Sequence, residues 1–116
     1  GSGGGGGDAG PTSDLALSAV EFAFEPDTWT IVADTEASVT MNNDGAVEHN
    51  WTVLESGVSI SSEADYDPAT VVAATDDIAG GESGTAAVTL PAGTYQVICT
   101  IAGHFDSGMA GTLTAA

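Results

Sequence analysis

The sequence predicts an all-β chain, an antiparallel sandwich of short strands. Three observations predict it. The apolar residues fall in short runs rich in Val, Thr, Ile and aromatics, with turn residues at near-regular intervals between them. No long stretch carries the 3.6-residue periodicity of an amphipathic helix. About a hundred residues follow a glycine-rich start, enough for one domain.

Residues 1–14 hold Gly3 to Gly7, Pro11 and little apolar content, and they read as a flexible linker or stalk. The domain is expected over 15–116. Its first strand candidate is Leu15–Phe24, followed by Trp29–Val32 and Ser38–Asn42. Asn43-Asp44-Gly45 then supplies a turn. Asn50–Glu55 reads as the next strand. Residues 56–82 are less regular, with one short helical turn expected over 61–65, and read as an excursion across the sandwich. Thr85–Leu90 and Thr94–Cys99 resume the strand pattern around the turn Pro91-Ala92-Gly93. Thr112–Thr114 closes the chain. In Thr94–Cys99 the alternation places Tyr95, Val97 and Cys99 on one face.

The chain has one cysteine, two histidines and two methionines. Cys99, His104 and Met109 stand within eleven residues, and His49 lies far upstream. Cysteine ends one strand, histidine tips the loop and methionine opens the next strand. Gly103 and Gly108 allow the tight turns between them. One thiolate, two imidazoles and a weak thioether form the donor set of a blue-copper electron-transfer site. Zinc is the weaker competitor, because methionine is not a usual zinc ligand. Singly, each residue is as well read as core; together, on strands and in this order, they point to a metal.

Lys and Arg are absent, against seventeen Asp plus Glu, for a formal charge of −17. Nucleic-acid binding needs cations to displace phosphate counterions, so most of that class is excluded. The charge also argues against electrostatic attachment to anionic lipid. Self-repulsion of this size favours concentrated salt, where the Debye length falls to ~3 Å at 1 M. Sixteen of the acids lie in residues 1–82, and only Asp106 lies beyond. The proposed ligand loop thus occupies a lightly charged end, suited to approach by a partner. There is no Walker-type lysine loop and no nucleophile elbow. No secretory signal or membrane-spanning run is visible, and a single cysteine forbids an intrachain disulfide.

The run Cys99-x4-His104-x4-Met109, followed by Gly111-Thr112-Leu113, resembles the C-terminal ligand loop of the cupredoxins. It is nearer to the auracyanin, sulfocyanin and halocyanin type than to plastocyanin. Phe22-Ala23-Phe24-Glu25-Pro26, Asn42-Asn43-Asp44 and His49-Asn50-Trp51 resemble that family's upstream strand, turn and first copper histidine. Ala102 stands where the family often has proline. The resemblance implies a Greek-key sandwich and a mononuclear type 1 site cycling between Cu(I) and Cu(II). His49 and His104 would complete a trigonal plane with Cys99, and Met109 would be the axial ligand.

It further implies a non-enzymatic electron carrier, monomeric, meeting a redox donor and acceptor transiently. A haloarchaeal source and an extracytoplasmic place at the cell surface are expected. A lipid anchor ahead of Gly1 would provide a tether. Asn50, though in the sequon Asn50-Trp51-Thr52, would hydrogen-bond the ligand loop instead of carrying a glycan. His104 is expected to show the more exposed ring edge and His49 to be enclosed. The alternatives are a copper-delivery protein using the same ligands and a metal-free adhesion sandwich.

Overall fold

A computed structural model describes residues 10–116. Nine strands form two sheets: β1 Asp14–Val20, β2 Ala23–Glu25, β3 Thr28–Ile31, β4 Ala37–Asn43, β5 Thr52–Leu54, β6 Val71–Ala74, β7 Ser83–Val88, β8 Gly93–Ile98 and β9 Ala110–Ala115. One sheet runs β2-β1-β4-β7, and the other runs β3-β9-β8-β5-β6. The sandwich is as expected, but its sheets are mixed. β1 pairs parallel with β4, and β3 pairs parallel with β9. Local pattern does not carry strand direction, because a parallel pair is made by chain returning from a distance.

Period-2 burial builds the core between the sheets. Val39, Met41 and Ala37 face inward from β4, and Tyr95 and Val97 from β8. Phe24, Trp29 and Trp51 meet edge to face in succession, with ring centroids 5.7 and 5.6 Å apart. Such geometry sets the positive edge of one ring against the negative face of the next.

The outer face of the five-stranded sheet is covered as well. Leu54, Ile98 and Phe105 form a second cluster with Val58, Ile60, Tyr66 and Val71. The irregular segment 56–82 is therefore an excursion over the sandwich, as expected. It contains a 3-10 turn at Glu63–Asp65, within the expected helical stretch. It also supplies the edge strand β6, which the sequence reading did not anticipate. Val71-Val72-Ala73-Ala74 is too short to distinguish strand from loop by periodicity.

The expected strand Leu15–Phe24 is two strands. The chain reverses at Glu21-Phe22, and β2 folds back with Val20 opposite Ala23 and Ser18 opposite Glu25. Of the stretch assigned to the linker, residues 1–9 lie outside the described residues. Thr12 bridges Ile31, and Asp14 opens β1.

Candidate metal centre

Three connections meet at one end of the sandwich: the β1–β2 turn, the β4–β5 link and the β8–β9 loop. Each brings a different kind of group. The β4–β5 link is pinned before it reaches His49. Asn43 Nδ2 donates to the carbonyls of Val47 and Ile78, both at 2.8 Å, and Asn43 Oδ1 accepts from Gly45 N–H at 2.9 Å. His49 itself exchanges both backbone hydrogen bonds with Ile78. Its ring is completely buried.

The β8–β9 loop is shaped by its own backbone. His104 N–H donates to Ile101 O, Gly108 N–H to Phe105 O and Met109 N–H to His104 O. Gly103 and Gly108 have φ of +84° and +106°, a region L side chains avoid. Phe105 sinks into the second cluster and anchors the loop. Asp106 and Glu63 exchange hydrogen bonds through their side chains and backbone N–H groups, tying the loop to the 3-10 turn.

These constraints bring His49, Cys99 and His104 together, with their donor atoms within 4.8 Å of one another. The two Nδ1 atoms are 3.2 Å apart, and Cys99 Sγ is 3.5 Å from His104 Nδ1. Donors roughly 2.0–2.3 Å from a shared first-row ion stand roughly 3.5–4 Å apart in a trigonal plane, so these spacings suit one ion. All three residues are buried, and the donors are nitrogen and sulfur only, which fits copper better than a hard cation. Burial pushes the Cys99 thiol above its ordinary range, offset in part by the Asn50 N–H, which donates to Sγ at 3.5 Å. Burial also lowers the His104 imidazole, reinforced by the neighbouring His49. Met109 is buried where the loop closes, its carbonyl accepting from Cys99 N–H at 3.3 Å.

Asn50 joins the two regions. Its Oδ1 accepts from Thr100 N–H and from Thr52 Oγ1, both at 2.9 Å. Its Nδ2 donates to Thr100 Oγ1 at 2.8 Å and to Asp77 Oδ1 at 2.9 Å. The amide is thus fully engaged and buried, in the ligand-loop role expected of it.

His104 is 7 % exposed and His49 is not exposed at all, the expected order. The edge is nonetheless covered: the Phe22 ring stands at 4.8 Å from the His104 ring, T-shaped, and is itself 41 % exposed. Phe105, next in sequence to His104, is buried in the second cluster.

Two side chains at the centre escaped the sequence reading, Glu21 and Asp77. Glu21 Oε2 lies 3.0 Å from His49 Nε2 and accepts from Ala46 N–H at 2.9 Å and Val47 N–H at 3.2 Å. The Val47 N–H, and after it His49, hold the Glu21 carboxyl below the usual carboxylate range. Its only sequence signal is a charge in the middle of an otherwise strand-like alternation.

Comparison with known proteins gives a consistent picture. The family model described as copper binding proteins, plastocyanin/azurin family, matches residues 12–116. Auracyanin-B of Chloroflexus aurantiacus is 35 % identical, with 66 % of this chain and 38 % of the relative aligned. Auracyanin-A of the same organism is 32 % identical over 81 % of this chain and 68 % of the relative. The chain thus spans well under half of the first relative and about two thirds of the second. The reduced auracyanin of Roseiflexus castenholzii superposes with a TM-score of 0.78 at 25 % identity, covering 92 % of this chain and 99 % of that one.

Proposed function

Because the chain belongs to the plastocyanin/azurin family of copper binding proteins, we propose that it carries single electrons through one copper ion held by His49, Cys99, His104 and Met109. The observation behind this reading is the convergence of two Nδ1 atoms and one Sγ in a buried pocket. Copper, when bound, supplies a Cu(I)/Cu(II) couple. The chain does the rest. Cys99 gives up its proton to serve as thiolate, and Asn50 N–H steadies the sulfur. His49 and His104 present neutral nitrogens. Met109, buried at the loop's closure, provides the weak fourth donor. Fixing both imidazoles from separate connections keeps one donor arrangement for both oxidation states, which lowers the reorganisation that electron transfer requires.

The chain is a carrier in this reading, not an enzyme, and it meets redox donor and acceptor proteins transiently as a monomer. Exposed Phe22 and Val47 lie beside the centre, which supports apolar contact there. Among the described residues no helix is long and apolar enough to cross a membrane. Thr12 bridges Ile31 and Asp14 opens β1, so the domain begins ahead of residue 15, and in this reading it works outside the cytoplasm. The relatives come from Chloroflexus and Roseiflexus and lend no support to a haloarchaeal source; a high-salt setting rests on the charge of −17. It predicts a melting temperature that climbs from dilute buffer to molar KCl, and an unchanged one contradicts it.

Voltammetry of the copper-loaded protein tests the function. An electron carrier gives a reversible one-electron wave and keeps its metal over many cycles. Loss of copper on reduction to a chelator that does not strip the oxidised form would indicate delivery instead.

A further inference from the structure

We propose that Glu21 is a positioning residue for His49, which orients its ring and biases the centre toward the oxidised ion. This inference rests on the copper reading and deepens it. The carboxylate is an acceptor only, so a proton must sit on His49 Nε2, 3.0 Å away. That leaves the Nδ1 lone pair facing Cys99 and His104. A ligating imidazole whose far N–H meets a carboxylate is a stronger electron donor than one facing solvent. Added negative charge favours Cu(II) over Cu(I).

The carboxylate has a built seat. Oε2 also accepts from the N–H groups of Ala46 and Val47. Gly45 leaves room for it: a Cβ at that position would collide with Glu21 Oε2. Asn43 holds the same turn in place through Gly45 N–H and the Val47 carbonyl. Turn, glycine and carboxylate therefore form one unit around His49. No Lys or Arg exists anywhere in the chain to neutralise Glu21. Among the described residues its side-chain hydrogen-bond partner is the His49 ring. No protein cation competes for the Glu21 charge, which is exposed to water on one side and reaches the centre through its hydrogen bond to His49.

The test compares copper-loaded wild type, Glu21→Gln and Glu36→Gln by voltammetry, and reads the His49 tautomer in metal-free wild type by nitrogen NMR. Glu36 is exposed and precedes β4, whose length of roughly 20 Å at about 3.3 Å per residue separates it from Asn43. Its variant removes the same charge at a distance. Glu21→Gln is expected to shift relative affinity about tenfold toward Cu(I), an upward move of ~59 mV for one electron. Glu36→Gln should move it by less than a third of that. His49 should carry its proton on Nε2. Equal shifts in both variants, no shift in Glu21→Gln, or an Nδ1–H tautomer would each overturn the proposal. If Glu21→Gln cannot be loaded, the wild-type tautomer decides. If wild type shows no thiolate-to-copper band, the copper reading has failed, and the tautomer still decides whether Glu21 orients His49.

Discussion

The two halves of the metal centre are held by different means. The β8–β9 loop delivers Cys99, His104 and Met109 within eleven residues, and short-range backbone turns and two left-handed glycines set its shape. The His49 side contributes one donor, and segments far apart in sequence hold it. Glu21 comes from the β1–β2 turn, Asn43 from the end of β4, and Ile78 from the excursion before β7. A loop that folds from local rules can bring Cys99 and His104 together at once, with Met109 as the proposed third donor. A single donor that must meet them at a fixed distance needs the tertiary structure to place it. Asn50, bonded to Thr100 in the loop and to Asp77 in the excursion, couples the halves.

Removing that coupling should have the largest effect on the fold. Asn50→Ala strands the half-buried Thr100 N–H and hydroxyl and the buried Thr52 hydroxyl, while the exposed Asp77 turns to water. At about 1–3 kcal/mol for each unsatisfied group, with part recovered by water, we expect a loss of roughly 3 kcal/mol in urea unfolding of the metal-free protein. A loss below about 1 kcal/mol would mean the halves hold their positions independently.

Gly108→Ala probes the local half alone. Open space surrounds the position, so the penalty comes from φ of +106° and not from a clash. Conformational strain of about 1–3 kcal/mol should lower stability while leaving the His49 backbone signals in place. If those signals shift as much as those of His104, the loop and the His49 side are one unit and are not held by separate means.

The smallest effect is a titration. Burial, then the nearness of His49, depresses the His104 pKa in the folded protein. Below the ordinary histidine value of about 6.5, the unfolded chain binds the proton that the folded one resists. Stability of the metal-free protein is therefore full above that pH and falls as pH drops through it toward the folded value. Carboxylates are still ionised between about pH 5 and 7, so relief of charge repulsion does not mask the trend. Thermal melts of wild type and His104→Asn across that window should converge as the pH falls. A constant gap would contradict the assignment.

The same contrast explains what the sequence disclosed. Cys99 and His104 were legible because the spacing of donors and glycines is itself the loop geometry. His49 was legible as the chain's other histidine and through its resemblance to a known pattern, not from spacing, and Glu21 left only a charge within an apolar alternation. The reversal at Glu21-Phe22 hides inside apolar alternation that continues on both sides. The strand pattern was readable from period-2 burial. The parallel pairings β1–β4 and β3–β9 and the edge strand β6 depend on returns of the chain that no local pattern encodes. Covering of the His104 edge by Phe22, eighty-two positions away in sequence, belongs to the same class.

The central claim is that Cys99 binds copper as a thiolate beside two imidazoles, and one measurement addresses it most directly. Cu(II) is added stoichiometrically to wild type and to Cys99→Ser, and the visible absorption of each is recorded. Wild type should develop an intense thiolate-to-copper charge-transfer band that saturates at one equivalent, and Cys99→Ser should show none, because a hydroxyl is a harder and far more basic ligand. A wild-type protein that binds Cu(II) without that band, or a serine variant that keeps it, would contradict the account.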